Sequence, residues 1–270
     1  MKAPLVVAAV CCATLAAVPA AAGDGGPSPG TAWGGLGITG PGGQLRYVTV
    51  GIGAWTSIEA IAVNGGRIVR WRNIRGNYGI PFVTNSGTTG GLSRDGSRLI
   101  LATFAGQPSA QTVTRFVVFD TQRFRPVHTI ALHGSYSYDA LSPDASTLYA
   151  IQYTSAHDYS RYRVRAYDLR AGRLLPQTIA DKREPAEQMS GSPVARATTR
   201  SGRWVYTLYA RPQGKSFVHA LDTVGRAAVC LDLPMRLGDN VRLSLAPDER
   251  RLDVIERGSG AKLAGVTLPS

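Results

Sequence analysis

Two short segments carry the densest groups of ionisable side chains in the sequence. Those side chains combine an imidazole, carboxylates, a phenol and basic groups, and they are His157, Asp158, Tyr159, Arg161, Lys182, Arg183 and Glu184. If the two segments meet in the fold, this mixture of donors, acceptors and an aromatic ring can bind a polar ligand. The alternative is a solvated loop whose polar residues only keep the protein soluble. We predict a binding site here and keep that alternative open.

The histidines do not form a metal-binding pattern. His128 and His133 are five residues apart on a predicted strand, where successive side chains point to opposite faces of the sheet. This odd separation keeps the two imidazoles from sharing one ion. The sequence also has no Asp-x-Asp-x-Asp-Gly calcium loop and no His-Glu-x-x-His motif. We therefore expect no metal and no other cofactor.

The candidate nucleophiles also lack the surroundings that catalysis needs. Residues 190–193 read Ser-Gly-Ser-Pro, which is typical of a turn and not of the strand-to-helix elbow that presents a catalytic serine. Cys230 lies in the apolar run Ala-Val-Cys-Leu, which predicts a buried strand and an unreactive thiol. We expect no catalytic residue among them.

The elements that would position these side chains follow from a repeated pattern. Four turns, centred on Asp95, Asp144, Gly202 and Asp248, each precede an apolar run. Further along, apolar runs end at Asp120, Asp168 and Asp222. Asp and Gly favour turns because they bond their own backbone or tolerate left-handed conformations. A repeat of about 40 to 55 residues with short alternating strands is the spacing of a propeller blade, whereas helical repeats would need apolar faces with a period of 3.6 residues.

The pattern predicts an all-β fold, a β-propeller of about five four-stranded blades of which one or two are incomplete. We place a partial first blade at residues 46–74, full blades at 88–134, 136–181 and 193–233, and a three-stranded last blade at 240–268. An unpaired sheet edge favours pairing with another strand. We therefore expect residues 47–52 to close the ring by pairing with the last blade, with an open arc or a six-bladed ring as alternatives.

The N-terminal residues have the features of an export signal. Met1-Lys2 precedes an apolar run that is too short to span a bilayer comfortably, and alanines at 20–22 offer cleavage sites. We predict a signal peptide at 1–22, a flexible Gly/Pro-rich leader at 23–44 and the propeller domain at 45–270. The mature protein would then be secreted or extracytoplasmic, without a transmembrane anchor.

The turn motifs resemble those of known families. Ser142-Pro143-Asp144 followed by Leu148-Tyr149, with copies at residues 93–95 and 247–248, is similar to the repeat of TolB-like, YVTN and WD40-like β-propellers. These families include scaffolds, binding proteins and some enzymes, so the resemblance implies the fold but not one function.

The resemblance leaves two functions open. We expect an exported binding or interaction module without catalytic activity. The alternative is a propeller hydrolase or lyase of the glycoside or lactone class, with Asp139, Glu59 and Asp239 supplying an acid and a base about 5 to 9 Å apart at the central channel, or with the loop around His157 as its site. In the simpler interpretation, Asp139 only bonds the turn between two blades.

The charge balance suggests the kind of partner. The formal net charge is +12, and the 30 basic residues comprise 26 arginines and 4 lysines, a bias that suggests a high-GC bacterium such as an actinobacterium. Export argues against nucleic acid as the target, whereas anionic wall polymers or lipid head groups would attract a basic protein. Arginine as ordinary surface composition is the alternative. We expect a monomer whose partner is an unidentified protein or an envelope polymer.

Overall fold

The fold consists almost entirely of β-strands. The structure is a computed structural model that describes residues 31–32, 37–103, 113–155, 161–183, 189–211 and 213–269. Apart from the strands, one short 3-10 turn spans Pro41–Gly43. Within these residues no helix has the length and hydropathy that a membrane span requires.

The strands form five antiparallel sheets in chain order, and each sheet is one blade. The first sheet contains β2 (Ile38–Thr39), β3 (Leu45–Ile52), β4 (Trp55–Ala62) and β5 (Ile68–Arg75). The second contains β1 (Thr31–Ala32), β6 (Tyr78–Pro81), β7 (Arg98–Thr103), β8 (Val113–Asp120) and β9 (Arg125–His133). The third contains β10 (Tyr136–Leu141), β11 (Thr147–Tyr153), β12 (Arg161–Asp168), β13 (Arg173–Ile179) and β14 (Met189–Ser190). The fourth contains β15 (Ser192–Thr198), β16 (Trp204–Ala210), β17 (Phe217–Asp222) and β18 (Ala227–Asp232). The fifth contains β19 (Val241–Leu245), β20 (Arg251–Glu256) and β21 (Lys262–Thr267).

The sheets pack face to face because their middle strands are apolar on both sides. In β7, Leu99 and Leu101 face the first sheet, whereas Ile100 and Ala102 face the third. This two-residue period is the geometry of a strand buried on both faces. Four clusters of buried apolar side chains fill the interfaces between successive sheets. The predicted all-β propeller of about five blades is confirmed.

The predicted turn chemistry is visible in the hydrogen bonds. The Ser142 hydroxyl donates to Asp144 Oδ1 at 2.7 Å. Asp144 accepts the backbone N–H of Ser146, and Ser142 accepts that of Thr147, where β11 begins. Ser93 and Asp95 form the same arrangement, with a hydroxyl-to-carboxylate distance of 2.6 Å. In the third turn Thr199 takes the place of the first serine, and its hydroxyl accepts the N–H of Trp204 at 3.0 Å. The turn therefore forms here without an aspartate.

The prediction of how the ring closes is wrong. Leu45–Ile52 pairs with β2 and β4 inside the first sheet and not with the last blade. The tight turn between β3 and β4 makes that local hairpin form along its whole length, from Leu45 opposite Ala62 to Ile52 opposite Trp55. The first blade is also not partial, because β2 adds a fourth strand. The fifth sheet has three strands, as predicted.

The folded part begins before Leu45. Ile38–Thr39 pairs with β3, and Thr31–Ala32 pairs with β6 at residues 80 and 81. The predicted signal peptide lies outside the described residues and stays a prediction. Within the part of the chain that the structure describes, no buried apolar cluster joins the first and fifth sheets. Each of these two sheets therefore has one face without an apolar partner among the described residues.

Candidate functional site

A cavity of about 280 Å³ lies where the inner strands of the blades approach one another. Gly91, Tyr138, Asp139 and Arg196 line its walls, and turn residues of the second, third and fourth blades surround its mouth. These turns join the first and second strands of a sheet. The loops of the predicted binding site, around His157 and Lys182, follow the second and fourth strands of a sheet. Alternate turns of an antiparallel sheet lie at opposite ends of its strands, so the mouth and these loops are at opposite ends.

A loop from the second blade crosses towards the fourth blade and closes part of the channel. Residues 82–89 form a small hairpin in which Phe82 pairs with Thr89. The N–H of Asn85 donates to the Pro193 carbonyl at 2.8 Å, and the Ser86 hydroxyl donates to the Val194 carbonyl at 3.2 Å. The bonds fix the hairpin against β15, so the cavity is bounded on this side.

Glycine is required where this loop returns to the wall of the cavity. A Cβ at Gly91 would lie 2.6 Å from the Ile100 carbonyl oxygen, and the backbone there has φ +99°. A Cβ at Gly90 would lie 2.7 Å from the Tyr138 ring. Only glycine permits this close approach of the backbone to its neighbours.

A buried ion pair forms the inner wall of the cavity. The Arg196 guanidinium donates to the backbone carbonyl and to Oδ1 of Asp139, and to the Thr207 hydroxyl at 3.1 Å. The two charged side chains are 10% and 2% exposed. Asp139 Oδ2 is buried and has no hydrogen-bond partner among the described residues. A charge this deeply buried is tolerated because it is paired.

β-bulges supply the carbonyl groups that these contacts use. The register of β10 shifts between Tyr138 and Ala140, so Asp139 is the unpaired residue of a bulge. A similar shift in β15 leaves Val194 unpaired, and its carbonyl accepts the hydroxyl of Ser86. Both bulges lie on inner strands, and each frees a carbonyl for a contact with another blade.

The mouth of the cavity is cationic. Arg94 and Arg200 lie on the turns that surround it and are exposed. Neither guanidinium forms an ion pair with a described residue. With Arg196, the lining holds three guanidinium groups and a single carboxylate, that of Asp139. This arrangement favours an anionic group at the mouth, because guanidinium groups donate paired hydrogen bonds to carboxylates and phosphates.

His219 is a buried titratable group in the neighbouring interface between the third and fourth blades. The residue is 1% exposed, and within the part of the chain that the structure describes neither ring nitrogen has a hydrogen-bond partner. Burial lowers the pKa of His219 to about 4. The imidazole is therefore neutral near pH 7 and does not add to the charge around the cavity.

The residues that the sequence singled out are only partly described. His157, Asp158, Tyr159 and Glu184 lie outside the described residues. Of the remaining three, Arg161 begins β12 and Lys182 is exposed. The predicted site on this loop face stays a prediction.

Arg183 has a structural role. Its guanidinium donates to Asp181 Oδ2 at 2.6 Å and to the carbonyl of Cys230 at 2.7 Å. Asp181 Oδ2 also accepts the N–H of Cys230 at 2.8 Å. Hydrogen bonds with Arg183 hold the pKa of Asp181 well below its usual range. These two side chains occupy the outer edge of β18 and fasten it to the end of the third blade, which protects that edge.

The three carboxylates considered for catalysis lie in different places. Asp139 lines the cavity, whereas neither Glu59 nor Asp239 does. Glu59 is on β4 of the first sheet, and its nearest described polar partner is the Ser57 hydroxyl at 3.5 Å. Within the described residues, no three His, Cys, Asp or Glu side chains are placed to hold a metal ion.

The comparisons with known proteins give similarity of structure only. No protein-family model matches the chain, and no curated protein matches it. The structure is similar to hydrazine synthase of Kuenenia stuttgartiensis, with a TM-score of 0.51 and 14% identity over 81% of this chain and 54% of that one. The β-propeller domain of Cps50 (Swd1) from Myceliophteria thermophila has a TM-score of 0.49 at 13% identity, covering 82% and 61% of the two chains. TolB from Acinetobacter baumannii has a TM-score of 0.42 at 16% identity, covering 73% and 43%.

This chain therefore spans less than two thirds of the length of each of these proteins. At such low identity the likeness shows the fold alone. The sheet order and the packing of the sheets define the protein as a β-propeller. This fold is widely used to bind ligands and partners.

Proposed function

We propose that the protein is an exported binding module of the cell envelope, without catalytic activity, whose central cavity binds an anionic group of an envelope polymer. The observation that carries the proposal is the lining of the cavity, where three guanidinium groups accompany one carboxylate. Arg196 already neutralises Asp139, so the charges of Arg94 and Arg200 remain available to a ligand. A phosphate or carboxylate group would accept hydrogen bonds from both.

The cavity lining supports binding in preference to glycoside hydrolysis. Hydrolysis of a glycosidic bond needs a pair of carboxyl groups, one as acid and one as base or nucleophile. Asp139 is the single carboxylate among the described lining residues, and its Oδ1 already accepts a hydrogen bond from Arg196. A volume of about 280 Å³ suits one charged group or one small unit of a polymer.

The test is co-sedimentation of the purified mature protein with bacterial cell-wall sacculi that retain their phosphate-containing polymers. We expect binding that falls as salt rises, because screening weakens exposed charge pairs. Arg94→Gln/Arg200→Gln should weaken binding about tenfold to a hundredfold, since each lost charged hydrogen bond contributes about 1.5 to 3 kcal/mol, part of which water restores. Arg125→Gln/Arg236→Gln removes the same charge from exposed positions outside the lining and is the matched control.

Two results would overturn the proposal. Equal binding to sacculi from which the anionic polymers have been stripped would show that the anion is not recognised. Turnover of a glycoside or lactone panel by the purified protein at enzyme-like rates, lost in Asp139→Asn, would establish the hydrolase or lyase alternative.

A further inference from the structure

The first sheet has one packed face and one open face. Tyr47, Ile58 and Ile74 face the second sheet and are buried there. Side chains that alternate with them point the other way. No buried apolar cluster among the described residues covers that other side.

The open face is unusually apolar and aromatic. We define it by five exposed side chains that the strand register places on one side of the sheet: Val50, Ile52, Trp55, Ile68 and Trp71. Trp55 is 48% and Trp71 is 65% exposed. The strands are eight residues long, so the face extends over about 26 Å along them and about 15 Å across them. Ser57, Glu59 and Asn73 lie on the same face between Trp55 and Trp71. A group of large exposed apolar side chains with polar residues among and around them is typical of an interaction site.

The same sheet is also strongly basic. Its arginines are Arg46, Arg67, Arg70, Arg72 and Arg75, and its single acidic residue is Glu59. Arg70 donates to the Gln122 carbonyl at 2.7 Å and lies over the Phe124 ring, so it belongs to the interface with the second sheet. Arg72 lies opposite Ile58 and therefore points to the same side as Arg70. Arg46, opposite Ile61, and Arg75, opposite Trp55, lie on the open face, and neither has an ion pair with a described residue. The partner of this sheet should therefore be anionic.

The face of the fifth sheet that points away from the fourth sheet is a solvated face and can be compared with the open face of the first sheet. There the Asp253 carboxylate forms ion pairs with Arg251 at 3.2 Å and with Lys262 at 2.8 Å. This face satisfies its charges within the sheet. The open face of the first sheet differs, because its large side chains are apolar and its charges are unpaired.

We infer that the open face binds the surface of an anionic lipid bilayer. Tryptophan prefers the interfacial layer of a membrane, where its ring is buried and its N–H still finds a polar partner. Arginines beside it would bind the anionic head groups, each contributing about fivefold in affinity. A second copy of the chain is the less suitable occupant, since the same basic sheets would face each other and repel.

The test uses vesicles of phosphatidylglycerol mixed with phosphatidylcholine, and vesicles of phosphatidylcholine alone. The full mature protein should float with the anionic vesicles and not with the neutral ones. Trp55 and Trp71 should shift their emission to shorter wavelength on binding, because the rings leave water.

Two pairs of variants locate the surface. Trp55→Gln/Trp71→Gln should lower binding at least tenfold, whereas Val127→Gln/Val224→Gln, which changes two exposed apolar side chains elsewhere, should leave it unchanged. All four side chains are exposed, so the substitutions should preserve the fold, and circular dichroism checks this.

Arg46→Gln/Arg75→Gln should lower binding by an order of magnitude or more, because the register places both arginines on the open face and two arginines at about fivefold each predict this loss. The cavity variant Arg94→Gln/Arg200→Gln should bind vesicles normally, so failure of this inference is distinguishable from failure of the proposed function.

Three outcomes would overturn the inference. They are absence of binding to anionic vesicles, equal binding to neutral vesicles, and equal loss of binding in the control variants. Concentration-dependent dimerisation that Trp55→Gln/Trp71→Gln abolishes would assign the open face to a second copy instead.

Discussion

Removal of Arg196 should be one of the most destabilising single changes in the protein. The Asp139 side chain is 2% exposed and depends on Arg196 for its charged partner. Arg196→Met keeps much of the side-chain volume but leaves a carboxylate buried without compensation. Breaking a buried pair in this way costs about 3 to 5 kcal/mol. In a domain of this size, that loss lowers Tm by roughly 6 to 20 °C.

The assay is urea unfolding of the wild type, Arg196→Met, Asp139→Asn and the double variant. Because both groups belong to one contact, the double variant should lose less than the sum of the two single variants, with a coupling energy of about 1 to 3 kcal/mol. Arg170→Met is the matched control, since Arg170 pairs with Asp144 at 3.2 Å but the side chains are 78% and 55% exposed. An exposed pair of this kind contributes about 0 to 1 kcal/mol.

Two results would refute this reasoning. If Arg196→Met costs no more than Arg170→Met, the buried pair does not stabilise the third and fourth blades as the geometry indicates. If the losses of the single variants simply add, Asp139 and Arg196 are not coupled.

Two further predictions concern pH and backbone strain. The pKa of His219 is about 4 in the folded protein and near 6.5 when unfolded, so the unfolded chain binds the extra proton and the free energy of unfolding should fall by roughly 3 kcal/mol between pH 6.5 and pH 4. Urea unfolding across this pH range should show a decrease in the wild type and in the control His128→Gln that is roughly 3 kcal/mol larger than the decrease in His219→Phe, where only carboxyl groups such as Asp181, whose pKa the fold lowers, still contribute; an equal decrease in His219→Phe would contradict the assignment. Gly96→Ala should destabilise the protein by about 1 to 3 kcal/mol, because φ is +71° and the new Cβ would lie 2.7 Å from Pro41 Cδ. Ala145→Gly, at the equivalent turn position with φ +54°, should be neutral or stabilising by up to about 1 kcal/mol, and thermal unfolding that ranks the two variants in the reverse order would contradict this.

Much of the fold could be predicted because its signals are local. The Ser142 and Asp144 side chains bond backbone groups within five residues of themselves, so the turn is encoded in one short segment. The following strand is apolar because both of its faces are buried. Turn and strand recur at regular intervals, which was enough to predict blades and their number.

Other features depend on contacts between distant segments. Asp139 and Arg196 are 57 residues apart, and nothing near either one marks it as half of a buried pair. The closing strand was predicted wrongly because an unpaired edge in the last blade does not specify which strand covers it. The hairpin formed by residues 82–89 interrupts an inner strand and is held by bonds to residues more than 100 positions away.

The repeat, the turn chemistry and the basic charge are evident in the amino-acid sequence, because each of these depends on residue types and on bonds between near neighbours. The position of the cavity, the arginines around its mouth and the open sheet face become evident only once the chain has folded. Bulges set which backbone groups are free on inner strands, and packing between sheets sets which faces are covered. The residues of a strand that is apolar on both sides indicate neither where a bulge lies nor which sheet covers each face.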